Sequence, residues 1–284
     1  MTENAWEQVR SADGTTIGFR RYGSGPPVLV VHGGMQAAQN FTGLASALAG
    51  EFTVLVPDRR GRGHSGPAGA EYGMAREVED MQAIVASTGA TRMFGLSSGA
   101  LVSLRTAACT PALTKIALYE PPLSLGGSVP TGWVPRFERE LEAGRVAAGM
   151  VTVLKGLGVA GSLGRVPRQV LIPLLIVAAR AQRVQPDQVP LRELVPTMRC
   201  DMRLVEQMAD TLGDYERLPT EVLLLGGSKS PRFLTAALDR LERTLPHCRR
   251  RTFDGLGHSG PDDGGDPQQV AAELIGFLRD APHR

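Results

Sequence analysis

Met93-Phe94-Gly95-Leu96-Ser97-Ser98-Gly99-Ala100 places a serine between two glycines, at the end of a short apolar run and just before a helix-forming segment. That is the layout of a nucleophile elbow, a strand-to-helix turn sharp enough to hold its central residue in a strained conformation. Bulky side chains two positions either side would collide with the backbone, so Gly95 and Gly99 serve there and Ser97 Oγ stands clear of the sheet. With 34 Gly among 284 residues, chance alone supplies about 0.2 such matches per chain, and the elbow needs company.

Two further stretches supply it. Val28-Leu29-Val30-Val31 reads as a buried parallel strand leading into His32-Gly33-Gly34-Met35, and Phe253-Asp254-Gly255-Leu256-Gly257-His258 follows another strand near the end. A serine hydroxyl is a poor nucleophile at neutral pH and needs a base that takes its proton on attack. His258 suits that task, since Gly255 and Gly257 free its loop to bring the ring over the sheet toward Ser97. His64 and His247 have no comparable setting.

The imidazole in turn needs a carboxylate to fix its tautomer. The loop after the strand Glu221 to Leu225 reads Gly226-Gly227-Ser228-Lys229-Ser230-Pro231 and contains none, and its lysine would oppose an imidazolium. One strand earlier, Leu118-Tyr119-Glu120-Pro121-Pro122 sets Glu120 at the carboxyl end of a strand beside the elbow strand, on the edge where open α/β sheets carry their sites. Glu120 is the expected acid, with Asp201, Asp214 or a bare Ser-His dyad as alternatives. The oxyanion of a tetrahedral intermediate needs backbone donors. Ser98 offers one, and Gly34 or Met35 the other. His32 reads as a brace for its own loop, and Asp58-Arg59-Arg60-Gly61-Arg62-Gly63-His64-Ser65-Gly66 as a packed loop near the site, without the GK[ST] ending of a phosphate cradle.

The rest of the chain alternates strand and helix, which makes the class α/β with a mostly parallel sheet. A hairpin over Trp6 to Arg10 and Thr15 to Arg21 turns at Asp13-Gly14. Helices are expected around Phe41 to Leu48, Ala75 to Ser87, Ser98 to Cys109, Phe233 to Thr244 and Pro267 to Leu278. Strands are expected at Val28 to Val31, Thr53 to Val56, Arg92 to Leu96, Lys115 to Tyr119, Glu221 to Leu225 and Arg249 to Phe253. Residues 1–122 and 218–284 form the core by this reading, and 123–217 an inserted helical cap. In the cap Phe137, Leu141, Val146, Met150 and Leu154 share one helical face, Met198, Met202, Val205, Met208 and Leu212 another, and Pro167, Pro173, Pro186, Pro190 and Pro196 punctuate the pieces.

At 42% hydrophobic and 21% charged, with a formal net charge of +2, the chain has the composition of an ordinary globular protein. The clusters Arg59, Arg60, Arg62 and Arg249, Arg250, Arg251 are short and lack interleaved aromatics. They read as solvated surface or loop contacts, so no nucleic-acid partner is expected. Cys109, Cys200 and Cys248 are far apart and odd in number, which points to buried thiols and neither disulfides nor a zinc site. The polar start of the chain has no signal-peptide core. The longest apolar run, Val170 to Ala179, is too short for a membrane span and contains Pro173. No membrane partner and a cytoplasmic location are expected, and a homodimer stays open.

With elbow, oxyanion loop, DRRGRGHSG loop and terminal histidine in register, the chain resembles the α/β-hydrolase fold family over essentially its whole length. The resemblance implies an eight-stranded sheet, a helical lid between strands six and seven, and no metal or organic cofactor. Ser97 sets it apart from the family's epoxide hydrolases and haloalkane dehalogenases, which attack with aspartate. The Ser97 to Ala100 elbow together with Glu120-Pro121 is similar to the arrangement in zearalenone-type lactone hydrolases. The leading expectation is a serine hydrolase that cleaves a carboxylic ester or lactone of a small, largely apolar substrate through an acyl-enzyme. The same Ser-His site could serve a cofactor-free lyase, C–C hydrolase, acyltransferase or cyclase, since one scaffold hosts many reactions. A ligand-binding relative without turnover is the third reading.

Overall fold

The computed structural model describes residues 6–181, 185 and 187–279, the backbone alone at 179–181. Eight strands form one sheet in the order β1-β2-β4-β3-β5-β6-β7-β8. The hairpin β1 (Trp6–Arg10) and β2 (Thr16–Tyr22) lies antiparallel at one edge. The other strands, β3 (Pro27–Val31), β4 (Thr53–Pro57), β5 (Arg92–Leu96), β6 (Lys115–Tyr119), β7 (Glu221–Gly227) and β8 (Cys248–Phe253), run parallel to one another. Parallel strands are covered on both faces, which is why they read as apolar runs without polar alternation. Leu29 and Val31 of β3 enter the core on one face of the sheet, while Val28 and Val30 enter the core on the other.

Helices α2 (Met74–Thr88), α3 (Ser98–Cys109) and α9 (Arg232–Thr244) cover the first face, and α1 (Thr42–Leu48) with α10 (Pro267–Leu278) the second. The chain steps from β3 out to β4 and returns past β3 to β5, so the order reverses between β3 and β5. Sites of open α/β sheets form at such a point. The pairings Leu96 with Tyr119 and Tyr119 with Leu225 bring the carboxyl ends of β5, β6 and β7 level.

Between β6 and β7 the described residues are helical or irregular, with no strand. The helices are α4 (Val134–Glu142), α5 (Val146–Gly156), α6 (Arg168–Ala181), α7 (Leu191–Leu194) and α8 (Met198–Gln207). Three expectations fail here. The apolar face from Phe137 to Leu154 belongs to two helices that pack together, because Gly144 turns the chain with φ 68°. Pro173 lies inside α6 and does not end it. Outside this segment as well as in it, the cysteines depart from expectation: Cys109 is exposed, while Cys200 and Cys248 pack half-buried against the core and are not fully enclosed. Pro186 lies outside the described residues.

Candidate active site

Ser97 follows β5 and precedes α3 with φ 56° and ψ −124°, a conformation that costs an L-residue ~1–3 kcal/mol. The turn can be this tight because a Cβ on Gly99 would overlap the carbonyl oxygens of Val31 and His32, and one on Gly95 the carbonyl of Gly99. The Ser97 N–H donates to the Tyr119 carbonyl at 2.9 Å. Its hydroxyl has no hydrogen-bond partner among the described residues, and the side chain lines two cavities that His258 also lines.

His258 reaches this place on the loop between β8 and α10. Its Nδ1 lies 2.7 Å from Glu120 Oε2, and the other carboxylate oxygen accepts from the Gly227 N–H at 2.7 Å. Glu120 is buried, and its φ of 48° turns the chain out of β6. The Tyr119 hydroxyl donates to the Gly257 carbonyl at 2.8 Å and ties the histidine loop to the same strand end. With Nδ1–H directed at the carboxylate, Nε2 carries the free lone pair.

Gly34 and Met35 line the larger of the two cavities, about 190 Å³, with Ser97 and His258. Among the described residues their backbone N–H groups donate to nothing, and Ser98, as the first residue of α3, has an N–H without an intrahelical acceptor. Met35 also has positive φ, 56°. Of the four described non-glycine residues in the left-handed region, Met35, Ser97 and Glu120 therefore meet here, and only Asp210 lies elsewhere.

The two alternative acids have other partners. Asp214 pairs with Arg105 at 3.0 Å near the surface. Asp201, from α8, accepts from Arg59 at 2.9 Å, Arg62 at 2.7 Å and Ser98 Oγ at 2.7 Å. Burial alone would raise its carboxyl, but the two guanidiniums outweigh that and bring it down to about 2. The Arg59, Arg60, Arg62 cluster is thus not solvated surface. All three side chains are buried, Arg59 on Glu77 at 2.8 Å and Arg60 on Asp80 at 2.6 Å. Arg249 and Arg251 on β8 are exposed. His32 braces its loop as expected, with Nδ1 2.9 Å from the Gly33 carbonyl and Nε2 accepting from the Arg59 N–H at 3.1 Å. Burial, then Arg62 and Arg59, hold it well below the usual imidazole range, so it is neutral.

One acidic residue beside the cavity escaped the sequence reading. Asp262, four positions after His258, accepts from Gln36 Nε2 at 2.6 Å, and Gln36 Oε1 accepts from the Gly33 N–H at 2.9 Å. Burial pushes the Asp262 carboxyl up to about 6 against the hydrogen bond from Gly264 and the charge of His258. The signal available beforehand was only the pair Asp262-Asp263 beyond the histidine, which also reads as an exposed turn.

A family model described as the alpha/beta hydrolase family matches residues 28–273. A solved alpha/beta hydrolase from Sphaerobacter thermophilus superposes with a TM-score of 0.77 at 29% identity, over 96% of this chain and 100% of that one. An esterase from a Rhodococcus species superposes with a TM-score of 0.68 at 22% identity, over 96% of this chain and 98% of that one. In sequence, the 2-(acetamidomethylene)succinate hydrolase of Mesorhizobium japonicum is 28% identical over 86% of this chain and 85% of its own length. The higher identity to an uncharacterised Mycobacterium tuberculosis protein, 36%, is confined to 26% of this chain and spans 22% of that relative.

Proposed function

The chain belongs to the alpha/beta hydrolase family, and from that premise we propose that it hydrolyses a carboxylic ester or lactone with Ser97 as nucleophile. The observation that carries this reading is the 2.7 Å contact between His258 Nδ1 and Glu120, beside a cavity that Ser97 shares. His258 Nε2 takes the hydroxyl proton as Ser97 attacks the carbonyl carbon, and Glu120 stabilises the imidazolium that forms. The Ser98 N–H and that of Gly34 or Met35 receive the oxyanion. The imidazolium then protonates the leaving alcohol, and water, deprotonated by the same nitrogen, releases the acid from Ser97.

The cavity favours an uncharged, apolar acyl group. Met35, Met150, Leu154, Leu157 and Met198 line it, and among the described residues no Lys or Arg does. Arg59 and Arg62, whose guanidiniums bond to the Ser98 hydroxyl and the Gly33 carbonyl, are already held by Glu77 and Asp201. A succinate derivative, such as the one named for the Mesorhizobium japonicum relative, would bring carboxylates with no free cation among the described lining residues to meet them. The test is a substrate series of nitrophenyl esters. Neutral acyl chains are expected to be hydrolysed, with kcat/KM rising with chain length until the cavity is full, and a carboxylate-terminated acyl chain to be poor. No hydrolysis of any neutral ester would overturn the proposal.

A further inference from the structure

We propose that the α6 side of the insert docks on the surface of an anionic lipid bilayer. Among the described residues the exposed large hydrophobic side chains are Leu163, Val170, Leu174, Ile176 and Val177, all within one short segment. Val170, Leu174 and Val177 follow the spacing i, i+4, i+7 and form one stripe along α6. Leu174 is 58% and Val177 64% exposed, and such aliphatic side chains, clustered on one element, mark a contact surface.

The stretch of chain that carries the stripe has charges of one sign. Residues 144–186 contain six Lys and Arg and no Asp or Glu. Beside α6 runs a groove of about 1000 Å³ whose walls carry Arg136, Arg145, Arg168 and Arg192 around Ile172 and Leu175. The acid in the groove, Glu140, is taken up by Arg136 at 2.9 Å and Arg168 at 2.6 Å, and Arg192 lies 3.6 Å from Glu193, which leaves Arg145 as the groove arginine with no ion pair among the described residues. Aliphatic groups framed by arginines match an anionic interface, where the side chains enter the acyl boundary and the guanidiniums meet lipid phosphates. A second copy of this face would set like charges against each other across a two-fold axis. The patch also lacks the aromatic anchors of protein interfaces. The expectation of no membrane partner rested on the lack of a span, and surface docking needs none.

Leu191 lines both this groove and the cavity that holds Ser97. Docking would therefore present the groove, and behind it the cavity, to amphiphiles leaving the lipid. The surface contact itself does not depend on the hydrolase reading, and the test keeps the two apart. Full-length protein is sedimented with phosphatidylglycerol vesicles and with phosphatidylcholine vesicles. Partition onto the former is expected to be at least about tenfold greater and to collapse in high salt. Ser97→Ala is expected to bind as well as wild type. The double variant Leu174→Asp, Val177→Asp should lose binding while retaining hydrolysis of a soluble nitrophenyl ester, and Arg145→Glu combined with Arg165→Glu, the latter at an exposed arginine in the short turn before α6, should weaken it. Equal partition onto both lipids, no partition at all, or a wild-type dimer that the aspartates dissolve would each overturn the proposal.

Discussion

The hydroxyl of Ser98 donates to Asp201 across 2.7 Å, so the residue after Ser97 is held by a carboxylate 103 positions along the chain, on helix α8. The same carboxylate neutralises Arg59 and Arg62, which themselves hold the His32 loop. Removing one partner from such a buried set leaves charges without compensation. Asp201→Asn is expected to cost ~3–5 kcal/mol of stability, read as a fall in the denaturation midpoint. Its turnover should fall on the order of 10²-fold through misplaced oxyanion donors. An unchanged midpoint would contradict this account of the network.

Glu120→Gln retains an oxygen for the Gly227 N–H but turns an amide toward His258 Nδ1. The imidazole then carries its proton on Nε2 and cannot accept one from Ser97. The expected loss in kcat is on the order of 10⁴, as for the equivalent change in a serine protease, with KM little altered. Steady-state kinetics on a nitrophenyl ester decides it, and parent-like turnover would remove Glu120 from the mechanism.

At Gly99 a single methyl group is enough. Its carbon would overlap the carbonyl oxygens of Val31 and His32, and backbone cannot retreat as a side chain would. Gly99→Ala should lower stability by ~1–3 kcal/mol and turnover with it, measured by thermal unfolding and ester hydrolysis. A variant as stable and active as wild type would mean that the elbow is looser than described.

Asp262 gives stability a particular pH dependence. Burial raises its carboxyl from 3.8 to about 6, so the folded chain holds this proton more tightly than the unfolded one. The stability from this group is fully present below about pH 4 and is lost as the pH rises through about 6, a difference on the order of 3 kcal/mol. Unfolding free energies of wild type and Asp262→Asn, compared across that window, should diverge in favour of the variant as pH rises. A constant difference would show that the proton is not held.

The strands, the elbow turn and the placing of His258 and Glu120 near its serine were legible because their signals are local. Apolar runs mark doubly covered strands, and the glycines around Ser97 answer to sterics within a few residues. The buried arginines were not legible, since Arg59 finds Glu77 18 positions away and Asp201 142 positions away. A charged run looks the same in sequence whether water or carboxylates receive it. Pro173 misled for a different reason, because a proline that would end an isolated helix lies within α6. Asp262 was overlooked because only the folded loop buries it.

The most direct test of the central claim is to treat the protein with a fluorophosphonate and locate the adduct by peptide mass spectrometry. The account predicts one adduct, on Ser97, with Ser97→Ala unlabelled and Glu120→Gln labelled slowly. Labelling of another residue, or equal labelling of Ser97→Ala, would contradict it.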